Sequence, residues 1–344
     1  MKSKRLQLFA CMSLAALFTV GCSTDIKEED YRFSNDEGKK VTFSAVINDQ
    51  TSNDMKPNTR ATETSWVVGD LVGITCGDRQ VNVQYQYSGD ANNYFTAVNN
   101  RKEIWLMGTE TYDVSAYWPF SGTEGKAQAP QAICTSSEAN ATAETRNQFD
   151  YLYASGTATR ENPNVQLAFS HVMSRIELKF VPGDLPKLDD IDCYVTGIKL
   201  NGTFNPNTGA TTVDEQVDGQ PQAIGSINQV LTDNNSHTFT ALVIPQTLEE
   251  GLLIEAGMNG IYYQVKVDLT ELKTGYSYNY TVTANDYNDN PIKLTITGTE
   301  IKPWTNVDGG TLDPDPSLSG TEAETDPTDW GKLDDEDVIP SEAE

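Results

Sequence analysis

The chain has 344 residues, a formal net charge of -26 and 38% hydrophobic residues, with 15 Tyr and 11 Phe. A chain of this length holds about two domains with a sizeable core in each, and the aromatic content excludes a disordered polymer. The acidic excess excludes binding to a nucleic-acid backbone, which needs a basic surface.

The charge is unevenly spread. Residues 305–344 carry thirteen acidic side chains against one Lys, a net of -12 that leaves -14 of the -26 for the rest. Such a run reads as a solvated, self-repelling tail. The five cysteines, Cys11, Cys22, Cys76, Cys134 and Cys193, contain no CxxC pair. The last three read as small hydrophobes, not as a disulfide framework or a zinc site.

In chain order, Lys2, Lys4 and Arg5 precede an apolar run from Leu8 to Val20 that is too short to span a bilayer. A basic start and a short apolar core mark an export signal. The run closes on Gly21-Cys22-Ser23, which resembles a bacterial lipobox with Cys22 as the lipidated residue, although Thr19 stands where Leu is usual. Several acyl chains on one residue anchor firmly in a membrane. The acidic stretch Ser23 to Asp30 resembles the signal that sends some lipoproteins to the outer face of the outer membrane.

Lys40 to Ile47 alternates cleanly, so that Val41, Phe43, Ala45 and Ile47 share one face of a half-buried strand. Residues 48–60 are polar and rich in Asn and Thr, and read as a loop. Arg60 follows Pro57 in an exposed context, open to a protease cutting between Arg60 and Ala61. From Trp66 the pattern predicts strand, turn and strand: Val67 and Val68, then Gly69-Asp70, then Leu71, Val72 and Ile74. Val81, Val83, Tyr85 and Tyr87 share a face, Tyr112 to Tyr117 is strand-like, and Pro119 and Gly122 end that run. Residues 121–147 form a long polar excursion, and 148–154 close the first section.

A second section opens at Val165 and runs to Phe180, where the alternation of Ile176, Leu178 and Phe180 favours strand over helix. Residues 194–200, 239–244, 252–256, 261–269 and 276–282 follow as strands, and Ile292, Leu294 and Ile296 mark the last. No amphipathic helix of convincing length follows residue 22. Many short strands at even spacing predict an all-β protein, here with two sandwiches, residues 61–163 and 164–306, before an acidic tail at 307–344.

The chain offers little for catalysis. His171 and His237 have no partner at metal-ligand spacing, and no hydrolase, phosphate-binding or dinucleotide motif is present. No enzyme, cofactor or metal is expected. Asp286 to Asn290 reads as a hairpin turn, since it lacks the glycine and terminal Glu of a calcium loop. The ladder Tyr276, Tyr278 and Tyr280 could stack on sugar rings, but cross-strand packing is the commoner fate of such a stripe.

Taken together, the lipobox, the lone strand before Thr59-Arg60-Ala61 and Trp66-Val-Val-Gly-Asp-Leu-Val-Gly-Ile74 resemble the fimbrillin family, as do Phe169-Ser-His-Val-Met-Ser-Arg-Ile176 and Ala241-Leu-Val-Ile-Pro-Gln246. Gly275-Tyr-Ser-Tyr-Asn-Tyr280 and the closing Ile301-Lys-Pro-Trp304 complete the likeness, which covers about residues 40–311. It implies two tandem transthyretin-like β-sandwiches, a lipoprotein precursor, and cleavage at Arg60 by an arginine-directed protease. Residues 23–60 then act as a tether plus a removable first strand (41–47), whose Val41, Phe43, Ala45 and Ile47 leave a groove for a neighbouring subunit. The implied partners are other pilus subunits, the outer membrane through the lipid anchor, and a host or glycan ligand. Residues 311–344 hold Pro314, Pro316, Pro327 and Pro340 without apolar alternation, so a tip or accessory place is as plausible as a stalk place. The rival reading is a glycan-binding surface lipoprotein for nutrient uptake, favoured if Trp105, Trp118 or the tyrosine ladder is exposed.

Overall fold

Alternating apolar and polar residues generate strands through nearly the whole of the globular part of the chain. The computed structural model describes residues 38–47, 66–90, 93–184, 188, 191–215, 224–225, 230–232, 236–258, 261–287 and 290–304. Seven strands build the first body: β1 (Thr42–Ile47), β2 (Leu71–Cys76), β3 (Gln80–Tyr87), β4 (Tyr94–Ala97), β5 (Tyr112–Trp118), β6 (Leu152–Ala158) and β7 (Asn164–His171). Their order is β7-β1-β4-β3-β2-β5-β6, and β6 pairs with β7 to close the sheet on itself. The all-β expectation holds, and in this body the sheet closes on itself as a barrel. Closure leaves no sheet edge, and every strand sends alternate side chains inward.

The second body is a sandwich. Its strands are β8 (Ser174–Pro182), β9 (Asp192–Thr196), β10 (Ser236–Val243), β11 (Leu252–Met258), β12 (Ile261–Val267), β13 (Tyr276–Tyr287) and β14 (Asn290–Pro303). One sheet runs Val230–Thr232, β10, β8, β13, β14, and the other runs Ile224–Gly225, β9, β11, β12. Ile176, Leu178, Phe180, Val195, Ile254 and Tyr278 fill the space between them. A hairpin links β13 and β14, with Tyr287 opposite Asn290, where the sequence predicted a turn.

Several expectations need correction. Residues 165–180 form strands, as the alternation predicts, but in two different sheets: β7 completes the barrel, and the chain crosses at Val172 and Met173 into β8. The change of sheet thus falls between His171 and Ser174. Val67 and Val68 form no strand. Val67 N–H donates to the Asp70 carboxylate at 2.8 Å, Asp70 N–H donates back to the Val67 carbonyl at 2.9 Å, and Gly69 takes a positive φ of 101°. That side-chain-to-backbone bond holds a tight turn, which outcompetes the β propensity of two valines.

The polar excursion is also structured. Gln131–Cys134 pairs with Asn201–Phe204, which in turn pairs with Thr211–Val213, so part of the first section adds to a sheet built by the second. A short helix, Ala143–Arg146, starts at Thr142, whose hydroxyl accepts from Thr145 N–H at 3.1 Å. Tyr117, Phe149, Tyr151, Met173, Phe204, Leu242 and Trp304 form a third apolar cluster where the two bodies meet. By contact, Gly38 onward falls in a single compact unit.

Candidate functional site, the first strand and its groove

The alternation of Val41, Phe43, Ala45 and Ile47 appears in the structure as burial. All four side chains are essentially inaccessible, while Thr42, Ser44 and Val46 are half-buried. The four enter the barrel core beside Ile74, Tyr85, Phe95, Leu167 and Phe169. Phe43 meets the Tyr85 ring edge-on at 5.1 Å, a favoured aromatic geometry. Burial pushes the Tyr85 phenol well above its ordinary pKa, and its oxygen accepts from Ile104 N–H at 3.0 Å.

The two neighbours of β1 hold it unequally. On one side it runs parallel to β7 in register from Thr42 opposite Asn164 to Ile47 opposite Phe169. On the other side it pairs antiparallel with β4 at only Phe43–Phe95 and Ser44–Tyr94, extended by Ala45 N–H donating to Asn93 O at 3.1 Å. Ahead of the strand, Lys39 and Lys40 pair with Leu106 and Trp105. Val41 N–H donates to Ile104 O at 2.9 Å, and the Lys40 ammonium meets Glu103 at 2.6 Å on the surface.

Trp66 closes one end of this region. Its indole packs edge-on against Phe95 of β4 at 5.1 Å and Phe169 of β7 at 4.9 Å, the two strands that flank β1. It is 7% exposed, and its N–H has no acceptor among the described residues. Ile47 and Trp66 therefore belong to one core, and the connector 48–65 joins them.

Arg60 and Ala61 in that connector lie outside the described residues, as do Cys22, the leader and the acidic tail. Sequence reasoning finds β1 but not its partner. A parallel strand more than a hundred residues away leaves no local signal. The aromatic candidates divide. Trp118, Tyr278 and Tyr280 are buried, so the ladder serves the sandwich core, whereas Trp105 is 42% exposed. Among the described residues no group of three or more His, Cys, Asp or Glu could hold a metal ion.

Known proteins share this architecture. A family model described as fimbrillin-like matches residues 59–304. A Bacteroides uniformis protein provisionally named fimbrium subunit Fim1C is 21% identical, over 88% of this chain and 97% of its own length. A crystal structure from Bacteroides ovatus, provisionally described as a cell adhesion protein, superposes with a TM-score of 0.63 at 24% identity. It covers 78% of this chain and 98% of that one. A second such structure, from Bacteroides uniformis, gives 0.57 at 18% identity over 77% and 99%.

Proposed function

The chain belongs to the fimbrillin-like family, and we propose that it is a structural or adhesive fimbrial subunit, exported as a lipoprotein through Cys22 and activated by cleavage between Arg60 and Ala61. Its partners are then other subunits, joined by strand addition, and the outer membrane, reached through the lipid anchor. The role is non-catalytic. A tip or accessory place fits the proline-punctuated stretch 311–344 as well as a stalk place does.

The observation that carries this reading is the placement of β1. It fills the barrel core with Val41, Phe43, Ala45 and Ile47, yet its only covalent link to the other barrel strands is the connector that contains Arg60. Cutting there turns the strand into a non-covalent ligand of its own groove. Each large apolar side chain contributes roughly 1.5–3 kcal/mol on burial, so the vacated groove would be a strong acceptor. It would also expose the backbone N–H and C=O groups of β4 and β7, which template an incoming strand.

The test is limited digestion of the chain with an arginine-specific protease, followed by mass measurement and electrophoresis without boiling. The expected products are a chain starting at Ala61 and a displaceable amino-terminal fragment. A ladder of oligomers would identify a polymerising subunit, and monomers that accept another subunit's strand would identify a tip or accessory one. An intact Arg60–Ala61 bond under conditions that cut other arginines would overturn the reading.

A further inference from the structure

We infer that an open cleft on the outer face of the barrel, rimmed by Trp105, binds a neutral oligosaccharide. This deepens the adhesive part of the function proposed above by naming the ligand class, and it does not depend on the cleavage step.

The cleft has a volume of about 1130 Å³, slightly beyond the about 300–1,000 Å³ of ordinary small-ligand sites. Its floor is the outer surface of β2, β5 and β6. Thr75, Ser115 and Ser155 lie directly across from one another on the three strands, and Asp113 opposite Thr157 forms the next row. The strand alternation therefore presents hydroxyls and one carboxylate where a soluble barrel needs only generic polarity. The side chains of Asp113, Ser155 and Thr157 are exposed and line the cleft.

One wall is Tyr153 with the turn that carries Asn207, joined by the Tyr153 hydroxyl donating to Asn207 O at 3.2 Å. Asn207 is fixed in turn, its amide donating to Gln128 O at 2.7 Å. Trp105 also lines the cleft. Its backbone is clamped at both ends by one side chain: Trp105 N–H donates to Gln80 Oε1 at 2.7 Å, and Gln80 Nε2 donates to Trp105 O at 2.8 Å. A backbone fixed beneath an indole open to solvent leaves only the side-chain torsions to be ordered, which lowers the cost of binding. Close by, the Tyr112 hydroxyl donates to Glu110 at 2.6 Å and holds that carboxyl below its usual range.

The chemistry selects the occupant. A peptide strand is excluded as a sheet extension, because β2, β5 and β6 are each paired on both sides. Asp78, Glu110 and Asp113 outnumber Arg79 around the cleft, so anionic ligands are repelled. A purely apolar ligand would strand the hydroxyl floor without partners. A neutral sugar answers both needs. The C–H face of its ring packs on Trp105, and its hydroxyls donate to Asp113 and exchange hydrogen bonds with Ser155 and Thr157.

The test is binding of the full, uncleaved chain to an immobilised panel of neutral, sialylated and sulfated oligosaccharides. Retention of at least one neutral glycan is expected. Its affinity should fall about tenfold or more in Trp105→Ala and in Thr157→Lys, with Trp105→Phe keeping most of it. Both residues are exposed, so unchanged circular dichroism and melting separate lost binding from misfolding. Absence of binding to every neutral glycan, preference for the acidic ones, or full binding by Trp105→Ala would overturn the inference. None of these outcomes bears on cleavage at Arg60, so the two proposals fail separately.

Discussion

The two bodies share a device and differ in how they hold it. In each, an early strand runs parallel to a late one: β1 with β7 in the barrel, β8 with β13 in the sandwich. β8 is paired along its length on both sides, from Ser174–Val243 to Phe180–His237 with β10 and from Arg175–Ser277 to Pro182–Ala284 with β13. Only Val172 and Met173 separate it from β7, so it cannot leave. β1 has a full ladder on one side, a two-residue ladder on the other, and a long connector behind it. The same topology is thus held by full ladders in one body and by one full and one short ladder in the other. The difference lies in flanking pairs and chain connection, since Phe43 and Phe180 are equally buried.

The sharpest way to break this comparison is to injure the two strands equally. Phe43→Ala and Phe180→Ala each remove a fully buried ring and should cost about 3–5 kcal/mol in the intact chain. Amide hydrogen exchange then locates the damage. In Phe43→Ala the protection lost should concentrate in β4, β6 and β7, with β8, β10 and β13 little changed. In Phe180→Ala the loss should fall on the sandwich strands. Uniform loss in both variants would mean that β1 is as integral to the fold as β8, and the contrast would be lost.

A somewhat smaller effect is expected at the junction between the bodies. His171, the last residue of β7, sits 2.7 Å from Asp150 through Nδ1 and stacks on Trp304 at 3.8 Å with the rings nearly parallel. The Arg175 guanidinium of β8 lies 4.9 Å from the centre of the same indole. Trp304 therefore bridges the end of the barrel and the start of the sandwich. Trp304→Ala should cost about 3 kcal/mol and split a single calorimetric transition into two, because it removes contact between bodies while leaving each core filled. A single cooperative transition in that variant would show that the sheet joining Gln131–Cys134 to Asn201–Phe204 couples the bodies without Trp304.

Much of this is legible in the sequence, and the misses have physical causes. The alternation at 41–47 and at 176–180 marks both strands, because a one-sided core writes itself with a period of two. The partner of β1 is not legible, and neither is the sheet change at Val172–Met173, since His171 to Ser174 are all buried and no glycine or proline marks the crossover. Val67-Val68 misleads for the opposite reason: Asp70 reaches back to Val67 N–H and fixes a turn that hydropathy does not register. Asn82 gives no local sign of its role. It is 2% exposed with a positive φ of 48°, donates to Ser121 O and Thr123 O, and accepts from the Tyr117 hydroxyl at 2.9 Å. A buried polar anchor of this kind looks like any loop asparagine until the fold surrounds it. Trp105 stands out as a candidate in the sequence, but the hydroxyl floor beneath its rim does not, because Ser115, Ser155 and Thr157 come together only through strand register.

The smallest effect concerns pH and contrasts the thiols of the two bodies. Burial raises Cys76 in β2 from the ordinary 9.0 to about 11, and raises Cys193 in β9 further still. Each thiol therefore binds its proton more tightly folded than unfolded. The stability this represents is complete below about pH 9, where both states are protonated, and is lost as the pH rises from there, because the unfolded chain ionises first. For Cys76 the loss ends near pH 11 and amounts to at most about 2–3 kcal/mol. Chemical denaturation at about pH 8 and about pH 10.5 should show a smaller alkaline loss in Cys76→Ala than in the parent chain, whatever the variant costs at neutral pH. Cys134 is exposed and should react with a thiol probe at neutral pH while Cys76 and Cys193 stay protected. If removing Cys76 left the alkaline loss unchanged, its burial in the barrel wall would be less complete than that of Cys193 between the sandwich sheets. The barrel would then be the looser body in its core, which is the property that the proposed release of β1 requires.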